Sequence, residues 1–256
     1  MGKIIAIANQ KGGVGKTTTS INLAASLNRL NDKVLIIDID PQGNTTSGLG
    51  FDKRNVEISI YDVLTSRVNI NEAIVPCELI DNFYIIPSIM ELAGCEIELI
   101  SKKNREKILK NKLKNLKQEF DFVFIDCPPS LGLLIINALT ASDSVLIPIQ
   151  CEFYALEGVG QLMNTVKLVK ESLNTNLKIE GVIMSMCDTR TNLSNQVVLE
   201  VKKYFKDKVY DTTIPRNIRL AEAPSFGLPI VLYDDKCKGA EAYEGLTKEF
   251  LHKQKE

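Results

Sequence analysis

An α/β fold, with one doubly wound and mostly parallel sheet and helices on both faces, is what this sequence predicts. Short β-branched runs recur along the chain. They are nearly all apolar rather than alternating, as expected of strands buried on both faces. Amphipathic stretches separate them, and this β-α-β alternation calls for parallel strands joined by crossover helices. Polar segments follow three of the runs, and sheets of this kind bind ligands at the C-terminal ends of their strands.

The elements follow in order. Residues 3–8, KIIAIA, form the first run, and the loop NQKGGVGKTT leads from it into an amphipathic stretch at 16–30. The second run, 34–39, ends in Asp40-Pro41-Gln42-Gly43-Asn44. A run at 83–87 precedes a long helical pattern over 89–119. The run at 122–125 ends in Asp126-Cys127-Pro128-Pro129 and is followed by a helical stretch at 131–141. Runs at 145–149, 179–184 and 209–214 complete the strands, with helical stretches at 156–173 and 196–205 between them. No Pro/Gly/Ser-rich linker and no fixed-period repeat divides the chain, so residues 1–256 read as a single domain.

Composition removes several classes of function. Hydrophobic residues make up 45% and charged residues 25% of 256, an ordinary balance for a soluble domain. The formal net charge is −1, so contact with nucleic acid or acidic membranes needs a local patch. The six cysteines form no C-x-x-C pair and there is one histidine, which argues against zinc. We read the cysteines as buried thiols of a reducing cytosol. The first apolar run is too short for a signal peptide. Gly2 lacks the Ser or Thr at position 6 that myristoylation wants. No stretch is long enough to span a membrane, and the expectation is a cytoplasmic protein.

The glycine-rich loop carries the first chemistry. Backbone N–H groups of a tight loop and the positive end of the following helix can surround phosphates. Lys16 would reach the β and γ phosphates and the Thr17 hydroxyl would ligate Mg²⁺. The common pattern G-x-x-x-x-G-K-[ST] is not met strictly, because Gln10 stands at its first glycine. Asp126 ends an apolar strand and would hold Mg²⁺, through water. Asp38 and Asp40 are two residues apart and so face one side of an extended segment. Asp40, further out, is assigned the attacking water, and Asp38 a supporting place near the metal.

Lys11 is a second lysine at the mouth of the loop. On spacing alone it is either a solvated surface lysine or a side chain that reaches the nucleotide of another subunit. The second reading would resemble an arginine finger and would tie dimerisation to ATP.

The run KGGVGKTT matches the deviant Walker A signature K-G-G-x-G-K-[ST] of P-loop NTPases. DIDPQGNTTSGLG at 38–50, FIDCPPSLGLL at 124–134, ALTASDSVLIPIQCEFYALEG at 138–158, DTRTN at 188–192 and IPRNIRLAEAPSFGLPI at 214–230 resemble the chromosome-partitioning ATPases called ParA or Soj. The resemblance runs nearly the full length and is weaker at about 51–80 and in the tail. It implies an ATP-sandwich homodimer in which Lys11 contacts the partner's nucleotide. It implies that Gly13, Val14, Gly15, Lys16, Thr17 and Thr18 bind the triphosphate of Mg²⁺–ATP, with Thr17 on the metal. It further implies that Asp40 is needed for hydrolysis and that Pro215 and Asn217 border the adenine. The ATP dimer of the family binds double-stranded DNA without sequence preference, and a ParB-type partner stimulates the slow ATPase. Arg190 and Arg219 occupy positions linked to DNA contact, so a nucleoid association is expected. Lys202, Lys203 and Lys206 either widen that patch or form an ordinary solvated face.

Two rivals share parts of this pattern. A MinD-like ATPase would use an amphipathic C-terminal helix at a membrane. Here Leu246, Phe250 and Leu251 form a short apolar stripe that reads as core-facing, so no membrane partner is expected. An iron–sulfur reductase would need cluster cysteines in glycine-flanked loops, and neither Cys95 nor Cys127 has that setting.

Overall fold

The computed structural model describes residues 2–152, 155–188 and 190–255, and only the backbone of Glu157. Phe153, Tyr154 and Thr189, which belong to the stretches carrying the resemblance, lie outside the described residues. The strands are β1 (Lys3–Ile7), β2 (Val34–Asp38), β3 (Val75–Pro76), β4 (Phe83–Ile86), β5 (Phe122–Asp126), β6 (Ser144–Gln150) and β7 (Lys178–Ser185). They form one sheet in the order β3-β4-β2-β5-β1-β6-β7. Every pairing is parallel except that of β3 with β4. The chain crosses outward from β1 in both directions, which is the doubly wound topology expected. The two-residue β3 was too short to read from sequence.

The helices are α1 (Lys16–Asn28), α2 (Asn44–Gly48), α3 (Ile60–Leu64), α4 (Leu92–Leu99), α5 (Ile108–Lys112) and α6 (Leu133–Ala141), then α7 (Glu157–Ser172), α8 (Asn192–Phe205), α9 (Ile218–Glu222), α10 (Ile230–Tyr233) and α11 (Lys238–Lys253). They sort onto the two faces because alternate strand residues point to opposite sides. Ile4, Ala6, Leu35, Ile37, Val123 and Ile125 pack under helices that include α4, α6, α7 and α8. Ile5, Ile7, Val34, Ile36, Phe122 and Phe124 pack under α1, α10 and α11. Both sets are buried, which is why the strands read as unbroken apolar runs.

Four expectations need correction. The pattern over 89–119 is not one helix. Asn104 adopts a left-handed backbone with φ of 54°, and the α6 side chain of Asn137 takes over local backbone groups. Its oxygen accepts from Leu109 N–H at 3.2 Å and its nitrogen donates to the Arg105 carbonyl at 2.9 Å. Helix α8 starts at Asn192, earlier than 196, because the Thr191 hydroxyl accepts from Ser194 N–H. Residues 209–214 make only isolated bridges at Val209 and Pro215. Tyr210 and Ile214 still donate to β7, but the N–H groups of Asp211 and Thr212 turn away to the Glu249 carboxylate of α11, at 2.8 and 2.9 Å.

The fourth correction concerns the cysteines. Cys77, Cys95 and Cys127 are buried and free as expected. Cys151 and Cys187 are instead joined, with Cα atoms 5.2 Å apart. Strands β6 and β7 end side by side, Gln150 against Ser185, which brings Cys151, one residue past β6, beside Cys187, two residues past β7.

Candidate nucleotide and metal site

The C-terminal ends of β1, β2 and β5 meet in one place. Asp126 is the register partner of both Ile7 on β1 and Asp38 on β2. The glycine-rich loop leaves β1 there and turns into α1. Gly13 and Gly15 have φ of 73° and 87°, a backbone that side chains strain to adopt. Gly15 is the N-cap of α1, whose first turn carries no acidic residue. The helix therefore presents free N–H groups and a positive end. An added Cβ at Gly12 or Gly13 meets nothing within 4 Å, so the rim of the cradle is open. Below it the loop is anchored. The Ser185 hydroxyl donates to the Val14 carbonyl at 2.8 Å, and buried Asn9 donates to Pro148 while accepting from Lys11 N–H. The Thr18 carbonyl accepts from Asn22, one turn on.

Of the two loop lysines only Lys16 lies within the cradle. It is 7% exposed, and its ammonium donates to the Lys11 carbonyl at 3.3 Å. Burial lowers its pKa, and the nearby charge of Asp126 opposes that shift. A buried ammonium with one neutral acceptor is suited to an incoming polyanion. The Lys11 ammonium points elsewhere, 3.0 Å from the Glu152 carboxylate beyond β6. Both partners are substantially exposed, so this pair contributes about 0–1 kcal/mol.

A hydroxyl cage surrounds Asp126. Thr17 and Thr45 donate to its Oδ2 at 2.8 and 2.6 Å, and Ser20 donates to Oδ1 at 3.1 Å. Beside it, Asp38 Oδ2 accepts from the N–H and hydroxyl of Thr46 at 2.8 and 2.7 Å, and Oδ1 from Asp40 N–H. Asp38 is thus consumed in fixing α2. Asp40 lies further out at 7% exposure, with Oδ1 accepting from Gln42 N–H. Among the described residues no group of three or more His, Cys, Asp and Glu could hold a metal. The donor set instead fits Mg²⁺, which takes one or two protein oxygens and completes its shell with water and phosphate. The Thr17 hydroxyl and the Asp126 carboxylate beside it are the oxygens that would hold it.

Two fully buried carboxylates on adjacent strands disfavour double ionisation. Burial, then the charge of Asp126, pushes Asp38 up to about 7 from an ordinary 3.8, against the hydrogen bonds from Thr46. Burial also raises Asp126, against the bonds from Thr45, Thr17 and Ser20. A raised folded-state pKa means that the folded chain holds a proton the unfolded chain has released. That stabilisation is complete below about 4 and is lost as pH rises through about 7. In metal-free buffer, denaturation midpoints of wild type should therefore fall relative to those of Asp38→Asn over this range. Parallel pH curves would contradict the shared-proton picture.

The remaining predicted residues lie nearby but apart. Pro215 bridges to Cys187 at the end of β7. Asn217 caps α9, its oxygen accepting from Leu220 N–H at 3.2 Å, which leaves the side-chain nitrogen without a partner among the described residues. Arg190 grips Asp188 with two bonds of 2.8 and 2.7 Å, and this holds the Asp188 carboxyl at about 2. Arg219 pairs with Glu222 at 3.0 Å and Asp234 at 3.5 Å. Sequence reasoning missed Ser20, Thr45, Thr46 and Glu152. The two threonines stand in the quoted run after Asp40, where hydroxyls beside a carboxylate were a usable signal. Glu152 carries no such signal, being 141 residues from Lys11.

A family model described as an AAA domain matches residues 2–179. The sporulation initiation inhibitor protein Soj of Bacillus subtilis (strain 168) is 60% identical over 249 residues, which are 97% of this chain and 98% of that protein. The chromosome partitioning protein ParA of Myxococcus xanthus (strain DK1622) is 52% identical over 251 residues, 98% of this chain and 88% of that protein. The solved structure of cobyrinic acid a,c-diamide synthase from Mycobacterium smegmatis with bound ADP and magnesium gives a TM-score of 0.87 at 38% identity, over 100% of this chain and 96% of that one. By full-length similarity, and by a phosphate cradle built on KGGVGKTT, the chain belongs to the ParA/Soj family of P-loop ATPases.

Proposed function

We propose that the chain is an Mg²⁺-dependent ATPase that dimerises on ATP, binds double-stranded DNA without sequence preference as that dimer, and drives chromosome or plasmid partition. A ParB-type partner stimulates its hydrolysis. The observation that carries this reading is the division of labour between the lysines: Lys16 is buried in its own cradle while Lys11 ends outside it on Glu152. Lys11 can exchange Glu152 for the phosphates of a second subunit, because an exposed ion pair holds it weakly.

Each residue then has a task. Gly13, Val14, Gly15, Thr17 and Thr18 offer backbone N–H groups to the triphosphate, and Lys16 neutralises it. Thr17 would hold Mg²⁺ and Asp126 would orient water on it, with Asp38 fixing α2 behind them. Bound there, the metal would supply neutralisation of phosphate charge. Asp40 positions the attacking water, and Pro215 and Asn217 border the adenine. Arg190 and Arg219 trade their carboxylates for DNA phosphates. This interaction is steeply salt-dependent and indifferent to sequence. Dimerisation doubles that patch, and the protein works in the cytoplasm on the nucleoid.

The apolar stripe that a membrane-binding alternative would use is packed into the core. Leu246 and Phe250 are fully buried, Phe250 lies against Phe122, and Leu251 is half-buried. No helix of the described residues is long and apolar enough to cross a membrane.

Retention on DNA with ATP, with ADP and without nucleotide tests the reading. Wild type should be retained only with ATP, and Arg219→Glu should lose retention while still forming the ATP dimer. Equal retention in all three states, or of both proteins at low salt, would refute it.

A further inference from the structure

Cys151 and Cys187 lie at the C-terminal end of the sheet, the end that carries the phosphate cradle. Each is 6% exposed, whereas Cys95 and Cys127 are 0% and 1% exposed. The ladder from Gln150 and Ser185, continued by one step, would set Cys151 beside Met186. Met186 instead takes a left-handed backbone with φ of 52°, uncommon for a residue with a bulky side chain. That turn puts Cys187 against Cys151.

Short connections join the pair to the site. Cys151 is followed directly by Glu152, whose carboxylate holds Lys11 at 3.0 Å. Cys151 N–H donates to the Ser185 carbonyl at 3.0 Å, and the Ser185 hydroxyl donates to the Val14 carbonyl in the cradle. Cys187 N–H donates to the Ile214 carbonyl, and Cys187 bridges to Pro215. ATP binding and hydrolysis use neither sulfur. In a compartment that keeps thiols reduced, such a bond is transient or redox-sensing.

We propose that Cys151 and Cys187 are a reversible thiol–disulfide switch, and that closing the bond keeps Lys11 on its own chain. One cysteine, as thiolate, attacks a low-molecular-weight disulfide and releases one thiol, leaving a mixed disulfide. The second cysteine attacks the protein sulfur of that mixed disulfide and releases the other thiol. The two protein thiols give up two electrons and two protons, and the small disulfide takes them to become two thiols. Closed, the bond ties the start of the segment carrying Glu152 to the end of β7, and Glu152 stays beside Lys11. Open, hydrogen bonds alone hold that segment, and Glu152 can withdraw. The action on Lys11 rests on the proposed cross-subunit role of that residue, whereas the chemistry of the pair does not.

The test equilibrates the full chain in mixtures of reduced and oxidised glutathione and maps disulfide-linked peptides by mass. A 151–187 cross-link should form in oxidising mixtures, reverse with dithiothreitol, and be absent from Cys151→Ser and Cys187→Ser. Without nucleotide, acylation of Lys11 by an N-hydroxysuccinimide ester should slow about threefold on oxidation, the scale of one exposed ion pair. Neither variant should show that slowing, and both should keep wild-type ATP affinity. No cross-link in any mixture, or one that dithiothreitol does not open, would overturn the switch. A reversible cross-link with unchanged Lys11 acylation would overturn its action on Lys11, as would equal slowing in both variants. Hydrolysis against protein concentration in reducing buffer separates the two assignments. A flat rate would remove the cross-subunit role of Lys11, while slowed acylation would still uphold the switch.

Discussion

Lys16→Ala should weaken ATP binding roughly a hundredfold or more, the scale of losing several charge-assisted hydrogen bonds in a shielded site. The cradle concentrates backbone N–H groups, but Lys16 is the full positive charge buried within it. Its ammonium makes one bond to a neutral carbonyl, so little protein structure depends on it. The variant should fold normally and melt near wild type without nucleotide. Titration with a fluorescent ATP analogue measures the effect. Affinity within twofold of wild type would show that the triphosphate sits elsewhere.

Asp40→Ala should have the opposite signature, with binding kept and turnover lost. Removing a group that positions and deprotonates the attacking water slows reaction roughly 100- to 10,000-fold. Asp40 lies near enough to Lys16 for its charge to oppose the lowering of the Lys16 pKa. Among the described residues only Oδ1 is engaged, by Gln42 N–H, which leaves Oδ2 for water. Single-turnover hydrolysis should nearly stop while the ATP dimer persists on DNA. Turnover within tenfold of wild type would return the role to another residue, and a monomer in ATP would separate Asp40 from the dimer cycle.

Much of this was legible because the informative residues are local. The doubly buried strands announce themselves by composition, and each strand's C-terminal polar residues follow it directly in sequence. Lys16, Thr17 and Asp126 fall on one sheet edge by their order in the sequence, and they meet there. The rest depended on long-range partners. Glu249 draws residues 211 and 212 away from β7. Asn137 substitutes for a helix end some thirty residues away. The β6–β7 register joins Cys151 to Cys187, although each alone reads as a buried thiol. Asp38 shows the limit within the site itself. Its spacing from Asp40 suggested a shared outlook on the phosphates, but hydrogen bonds from Thr46 claim its Oδ2 and turn it into a support for α2.

On the proposed function, Lys11 acts on the neighbouring subunit's ATP. Hydrolysis per chain, measured against protein concentration for wild type and Lys11→Ala, tests it most directly. The wild-type rate should climb with concentration to a plateau, and the Lys11→Ala rate should stay low throughout while ATP still binds. A rate independent of concentration, equal in the two proteins, would contradict it.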